Sequence, residues 1–349
     1  MEAVEFSLKD KSLKLVTKPI PKIEKPNEVL IKVAYAGVCG TDLHITELLQ
    51  ATFPCSNGKP FTLGHELSGV VSEVGSDVRS IKPGDEVIVD PNLGCGECQF
   101  CYSGDTHYCN RGGITSYIGI FKDGAWAQYV VVLKQQVHVL PSNISLEHGV
   151  LAEPISCLAH SWDRISPITV GQKILILGAG IIGNLWASIL HLQGHRRVTV
   201  SEPIVHRLNL QKNLDTDFDQ VTPDELKERH DKDNDYLFDV IIDCSGDAPA
   251  IEHAFSLLNK GGKLCLFGCA SPHSKISISP LQLAMREIQI IGLFLNLFSF
   301  PKTLGLMESM CDRYLTYEKL GVKTFPLKDY ETAIEELKKG NIAKAVFKF

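Results

Sequence analysis

The stretch Gly178-Ala179-Gly180-Ile181-Ile182-Gly183 constrains the fold of this chain more than any other. It fits G-x-G-x-x-G, and its setting gives the pattern meaning. The apolar run KILIL before it reads as a buried strand, and IIGNLWASILHLQG after it has helical spacing, with Gly194 placed to stop the helix. RRVTVSE then reads as a second strand ending at Glu202, 19 residues past Gly183. Glycines in such a turn permit close backbone approach, the helix N-terminus faces a pyrophosphate, and an acid about 20 residues on suits ribose hydroxyls. Two more strand signals, FDVIIDCSG and GGKLCLFG, continue the alternation, which predicts a parallel sheet with right-handed crossovers.

The rest of the chain has a different texture. Residues 1 to about 150 carry short β-rich runs, EVLIKVAYAG, SGVVSEVGSDV, GDEVIVDP and AQYVVVL, separated by Gly, Pro and Asn. Residues from about 295 end in a charged helix, YETAIEELKKG, and a strand, KAVFKF. A chain of 349 residues has room for about two domains. The predicted division is a β-rich domain over 1–153, completed by about 295–349, and a dinucleotide-binding domain over 154–294.

Glu202 bears on the cofactor. A carboxylate accepts hydrogen bonds from ribose 2′- and 3′-hydroxyls and repels a 2′-phosphate, so NAD is favoured over NADP. Arg207 is placed to pack on the adenine side, to pair with a phosphate, or to stand as a solvated helix residue.

Four of the eleven cysteines fall between Cys95 and Cys109, spaced Cys95-x2-Cys98-x2-Cys101-x7-Cys109. Four thiolates in so short a loop suit a closed tetrahedral Zn²⁺ site, and closure makes such a site structural. Ferredoxin-type spacing is a relative of this pattern, but no second cluster motif or Cys-Pro follows. A DNA-binding finger is disfavoured by the net charge of −6, from 35 Lys and Arg against 41 Asp and Glu, and by the lack of a basic helix. Hydrophobic residues at 44% and charged residues at 22% exclude wholesale disorder. No apolar stretch reaches the roughly 18 residues of a membrane span, the best candidate being residues 290–300. The N-terminus lacks the apolar core of a secretory signal. The expectation is a cytoplasmic protein without nucleic-acid or membrane partners.

A second constellation is dispersed: Cys39 in GVCGTDLH, His65 and Glu66 in GHE, and Glu153 in LAEP. Cys, His and one or two carboxylates are suitable zinc ligands with one position left open. These motifs, with the cysteine lobe and GAGIIG, stand in the order found in zinc-dependent medium-chain alcohol and polyol dehydrogenases, which the chain resembles along nearly its whole length. GHE, EPISCLAH, VDPN and GLFLNLFSFP resemble the sugar-alcohol branch, while CGTDLHI is equally similar to threonine dehydrogenases.

The resemblance implies a GroES-like β-rich catalytic domain and a Rossmann doubly wound cofactor domain. It implies two zinc ions per subunit, one held by Cys39, His65 and Glu66, with Glu153 a fourth ligand or joined through water. Thr41 would take the proton from the substrate alcohol and His44 pass it to solvent. Ile182 would border the cofactor. Phe267, Gly268, Cys269, Leu293 and Phe294 would line the nicotinamide side. The implied reaction is NAD-dependent oxidation of a secondary alcohol of a polyol to the ketose, by zinc-assisted deprotonation and hydride transfer. L-threonine 3-dehydrogenase is the second reading, and a non-catalytic NAD(H)-binding protein the third. A homodimer or homotetramer is implied, residues 288–300 being a candidate interface. Two departures touch the sugar-binding side: Ile45 follows His44 where sorbitol dehydrogenases carry an aromatic, and Leu295 follows Phe294 where they carry an Arg nearby. Cys55, Cys157, Cys244, Cys265, Cys269 and Cys311 read as small buried residues, and Trp126, Trp162 and Trp186 as core.

Overall fold

The computed structural model describes residues 1–45, 59–113 and 116–349. Sixteen strands are described: β1 (Glu2–Ser7), β2 (Ser12–Thr17), β3 (Glu28–Gly37), β4 (Phe61–Thr62), β5 (Leu67–Val74), β6 (Glu86–Val89), β7 (Tyr129–Leu133), β8 (Val137–Val139), β9 (Ile174–Leu177), β10 (Val198–Ser201), β11 (Asp219–Val221), β12 (Phe238–Asp243), β13 (Leu258–Leu266), β14 (Gln289–Gly292), β15 (Val322–Phe325) and β16 (Lys344–Lys348).

The first lobe is built from antiparallel pairs, β15–β16 alone being parallel, and its apolar side chains turn inward. β2, β1 and β4 form a small sheet, and β15-β16-β3-β5-β6-β8 a larger one, with β7 beside the first half of β3. The second half of β3 pairs with β16, so the C-terminal strand is built into the sheet that carries the N-terminal lobe. The core of this lobe includes Val29, Ile31, Val33, Trp126, Phe325, Tyr330 and Phe347.

The second lobe is a six-stranded sheet, order β11-β10-β9-β12-β13-β14, parallel throughout. Strands covered on both faces are apolar at every position, which is why ILIL in β9 is wholly buried. One face is covered by the helices Ala152–Ile165, Ile181–Leu192 and Phe300–Met310. The other is covered by Pro223–Lys232 and Ala248–Ser256. Helices on both faces of an all-parallel sheet make it doubly wound, and the strand order reverses between β9 and β12, where such sheets bind ligands. Gly178, at φ +102°, turns the chain out of β9 there. A Cβ on Gly183 would fall 1.9 Å from the Gly178 carbonyl oxygen, so the helix enters this close only as glycine.

The lobes meet through polar contacts as well as shared apolar side chains. Asp90 Oδ1, beyond the end of β6, accepts the Asn92 N–H at 2.9 Å and the Asn296 amide at 3.0 Å, and Asn92 donates to Asn296. Within the second lobe, Ser299 donates to the Ser156 carbonyl at 2.8 Å and ties the start of Phe300–Met310 to Ala152–Ile165. Burial pushes the Asp90 carboxyl up to about 7. An acid whose pKa is raised on folding favours the fold below its unfolded value and loses that support as pH rises through the folded value. Asp90→Asn keeps an oxygen for both donors and removes the titration. The variant therefore gains stability over the parent as pH rises from about 5 to about 8, by up to about 3 kcal/mol in chemical unfolding. A difference that stays flat across that range counts against a buried, protonated Asp90.

Candidate metal and cofactor site

Cys39 leaves β3 and precedes a single helical turn, α1 (Gly40–Leu43), whose Asp42 accepts the Cys39 backbone N–H at 2.9 Å. His65 and Glu66 stand just before β5, which pairs with β3, so strand register brings Cys39 to the His65–Glu66 pair. One ligand atom from each of Cys39, His65 and Glu66 lies within 4.8 Å of the others. A Cβ on Gly37 would lie 1.8 Å from Glu66 Oε2, so glycine there is what admits the carboxylate.

The cluster is buried and tightly surrounded. His65 Nδ1 lies 3.6 Å from Asp42 Oδ1, an ion-pair distance longer than a hydrogen bond, so the carboxylate stands on the Nδ1 side of the ring. Burial pushes the Asp42 carboxyl up to about 6. Glu66 faces Lys344, the first residue of β16, in an ion pair whose side chains are almost wholly buried. Burial alone would lower the Lys344 ammonium, but Glu66 and Cys39 hold it above the ordinary lysine value. Lys344 also donates to the Val38 carbonyl at 3.3 Å. Removing one partner of a buried pair strands the other. Lys344→Met should cost about 3–5 kcal/mol in unfolding of the metal-stripped protein and less when zinc is bound, since the ion supplies a second positive charge to Glu66. Equal losses in the two forms would separate Glu66 from the metal.

Thr41 Oγ1 is 3.6 Å from Cys39 Sγ, and His44 is exposed at the far end of α1. Glu153 is buried at the start of helix α2 (Ala152–Ile165) but lies outside the three-residue cluster. Its Oε1 accepts from Tyr117 Oη at 2.9 Å and from the Cys157 thiol at 3.5 Å. Burial raises the Glu153 carboxyl.

The four lobe cysteines also converge. Cys98 Sγ is 3.6 Å from Cys101 Sγ and from Cys109 Sγ, and Cys95 Sγ is 4.0 Å from Cys101 Sγ. Zinc–sulfur bonds of about 2.3 Å in a tetrahedron put sulfurs about 3.8 Å apart. The Cys95 and Glu97 backbone N–H groups point at Cys109 and Cys95 sulfurs, as suits thiolates. Both donor sets fit zinc: four thiolates form a closed shell, and Cys, His and Glu form a shell with room for one more oxygen.

At the switch point, Gly180 caps helix α3 (Ile181–Leu192). Glu202, just past β10, is buried; its carboxylate accepts the Ala179 N–H at 2.8 Å and the Ile204 N–H at 3.0 Å, which seats it beside the glycine turn. Arg207 is half-buried, and its guanidinium lies beside Gly340. Ile182 and Phe267 lie at the edge of the second core, Phe267 edge-on to Trp186 with ring centroids 6.4 Å apart. Gly268 abuts Gly246, and Asp243 binds the Ser245 and Gly246 backbone N–H groups, fixing that loop. Leu293 is partly buried and Phe294 exposed.

Residues 25–142 match the alcohol dehydrogenase GroES-like domain, and residues 182–309 match the zinc-binding dehydrogenase domain. An L-threonine 3-dehydrogenase from Caldanaerobacter subterraneus is 31% identical, covering 99% of this chain and 98% of its own. This chain belongs to the zinc-dependent medium-chain alcohol dehydrogenases. A D-arabitol-phosphate dehydrogenase from Enterococcus avium is 30% identical, over 92% of this chain and 89% of its own. A structure described as a zinc-binding dehydrogenase from Sinorhizobium meliloti 1021, bound to NADP, superposes with a TM-score of 0.85 at 28% identity, covering 100% and 99% of the two chains. The family is one of enzymes, and this member is a dehydrogenase.

Some expectations from sequence are corrected. Cys269 is exposed, because β13 ends at Leu266 and the chain turns outward. Cys265 and Cys311 are buried, Cys157 and Cys244 partly so, and Cys55 lies outside the described residues. Trp126 and Trp186 are fully buried, but Trp162 is only partly so, stacked on Trp186. Ile45 is buried in the first core, and Leu295 packs against that core at φ +56°. Lys344, Tyr117 and Asp42 were not singled out from sequence; a lysine opening an otherwise apolar strand was the one available signal. Among the described residues no helix is long and apolar enough to cross a membrane.

Proposed function

We propose that this dehydrogenase oxidises a secondary alcohol of a polyol to the ketose, using NAD and a zinc ion held by Cys39, His65 and Glu66. The observation that carries the reading is the convergence of those three side chains, His65 and Glu66 buried and Cys39 partly so. The second zinc belongs to Cys95, Cys98, Cys101 and Cys109. Residues 1–153 with about 295–349 serve as the catalytic domain and 154–294 as the cofactor domain, except that the helix Phe300–Met310 packs on the cofactor sheet.

Bound zinc supplies Lewis-acid polarisation of the substrate oxygen, and nicotinamide accepts the hydride. The chain supplies the rest. Thr41 Oγ1 accepts the substrate hydroxyl proton as it hands its own on, and the exposed His44 passes it to solvent. Gly178, Gly180, Ile182 and Gly183 seat the pyrophosphate end. Glu202, with Arg207 nearby, receives the ribose and disfavours a 2′-phosphate. Phe267, Gly268, Cys269, Leu293 and Phe294 flank the nicotinamide. The edge strand β14, with Ile290 partly exposed, supports pairing into a homodimer or homotetramer.

Threonine oxidation is the second reading, favoured by the threonine dehydrogenase relative. Its substrate carries a carboxylate, which calls for a cation. The buried lysine at the cluster, Lys344, is already engaged by Glu66. The test is NADH formation by zinc-loaded protein over pentitols, hexitols and inositols, with L-threonine as comparator and NADP as alternative cofactor. Polyol turnover that stops on zinc removal supports the reading. Turnover of threonine alone replaces it, and NADH binding without turnover of any substrate points to a non-catalytic role.

A further inference from the structure

Trp126 reads from sequence as core, and it is wholly buried, but its contacts are not those of a filler. Its indole N–H donates to the Gly37 carbonyl at 3.0 Å, two residues before Cys39. The same edge of the ring rests on Gly64, the residue before His65. A Cβ on Gly64 would fall 2.2 Å from Trp126 Cδ1 and 2.8 Å from Nε1, and Gly64 stands at φ +92°. One side chain thus touches both segments that carry the metal-ligating residues. Gly37 is held at both of its backbone groups, since its N–H donates to the Glu66 carbonyl at 2.9 Å.

The indole is itself fixed. The Trp126 N–H donates to the Leu63 carbonyl at 2.8 Å, and the Ala125 N–H to the Gly64 carbonyl at 2.9 Å, so this stretch lies along the chain that leads into His65. Phe347 stands edge-on against the ring, centroids 5.1 Å apart, and keeps it from backing away. We propose that Trp126 is a positioning residue for the metal centre, holding the end of β3 that bears Cys39 against the turn that bears His65 and Glu66. This rests on the zinc reading above. The three ligand atoms then stand assembled before an ion arrives, and the ion does not have to order them. The indole acts on the two backbones, not on the metal or the substrate.

The test is metal affinity at the Cys39 site, read by chelator competition, together with its cobalt(II) spectrum. Both are taken as differences from Cys39→Ser, which cancels the cysteine lobe. Trp126→Phe keeps a ring in the core and removes the N–H. Its zinc affinity at this site should fall about tenfold or more, the range that partners of metal ligands command, and its cobalt spectrum should change. Val132→Ala separates this from a loosened core. Val132 is buried in the same core but pairs with Val29, at the other end of β3 from Gly37. That variant should lose Tm and keep the parental affinity and spectrum. The proposal is overturned if Trp126→Phe binds zinc as the parent does, or if Val132→Ala loses affinity as well. Where Trp126→Phe does not fold, nitrogen-15 labelling of the tryptophans decides. Zinc added to the metal-stripped parent should move an indole N–H resonance that stays in place in Cys39→Ser, and a parent with no such movement overturns the proposal. A parent whose cobalt spectrum matches that of Cys39→Ser would overturn the zinc reading itself, a separate result.

Discussion

Cys39→Ser should leave a folded chain that binds NADH and turns over substrate at least about a thousandfold more slowly. The size follows from the role: Lewis-acid stabilisation amounts to several kcal/mol of the barrier, and each 1.36 kcal/mol is tenfold in rate. A serine hydroxyl is not ionised at neutral pH and is a poor substitute for thiolate on zinc. The fold should survive because Cys39 is the N-cap of α1, with extended backbone at φ −91° and ψ 156°, and serine is among the residues that N-caps favour. NADH binding should survive because the glycine turn, Glu202 and the Asp243 loop belong to the other lobe and contain no side chain from α1. Zinc analysis should fall from two ions per chain to one, and NADH fluorescence titration should change little. Turnover near the parent's would remove Cys39 from the metal site. Loss of NADH binding along with turnover would show that the substitution damages the fold and not only the metal.

The sequence and the structure agree most where local pattern carries the information. β9, β10 and β12 are largely buried runs covered on both faces, rich in Val, Ile and Leu, and each is legible without knowing its neighbours. The cysteine lobe is legible for a related reason: its four sulfurs come from fifteen consecutive residues, 95–109, so spacing alone places them together. Lys344 is the opposite case. At the head of KAVFKF it looks like the solvated end of a strand. Its burial follows from β16 entering the sheet beside the second half of β3, next to Val38 and Glu66. Tyr117 is equally hidden. It lies in an irregular segment after the cysteine lobe, and its partner Glu153 sits on a helix that reaches it only once the two lobes are packed. The partly buried Asp90–Asn296 link has the same origin, joining two loops far apart in the chain.

Cys98→Ser should do the reverse of Cys39→Ser, removing one zinc ion through the fold and not through the chemistry. The lobe has little else to hold it. The short helix Gln99–Tyr102 buries none of its residues, and among the four cysteines only Cys109 is buried. The lobe's one aromatic anchor is His107, packed against His160 on α2 at 5.4 Å. A structural zinc in small peptides contributes about 10–16 kcal/mol, against which this apolar contact is small. Without the ion, residues 95–109 should open locally while both sheets remain. The expected result is cleavage within 95–109 under limited proteolysis and a fall in Tm of about 10 °C, less than a global loss because the opening is local. Zinc content should again drop to one, but the cobalt spectrum of the Cys39 site should remain, and the turnover that survives should track the fraction of protein still folded. The two cysteine variants therefore lose the same ion count with opposite consequences. A Cys98→Ser protein with parental Tm and an uncut lobe would mean that backbone and His107 packing hold the loop, leaving the four thiols without a structural task.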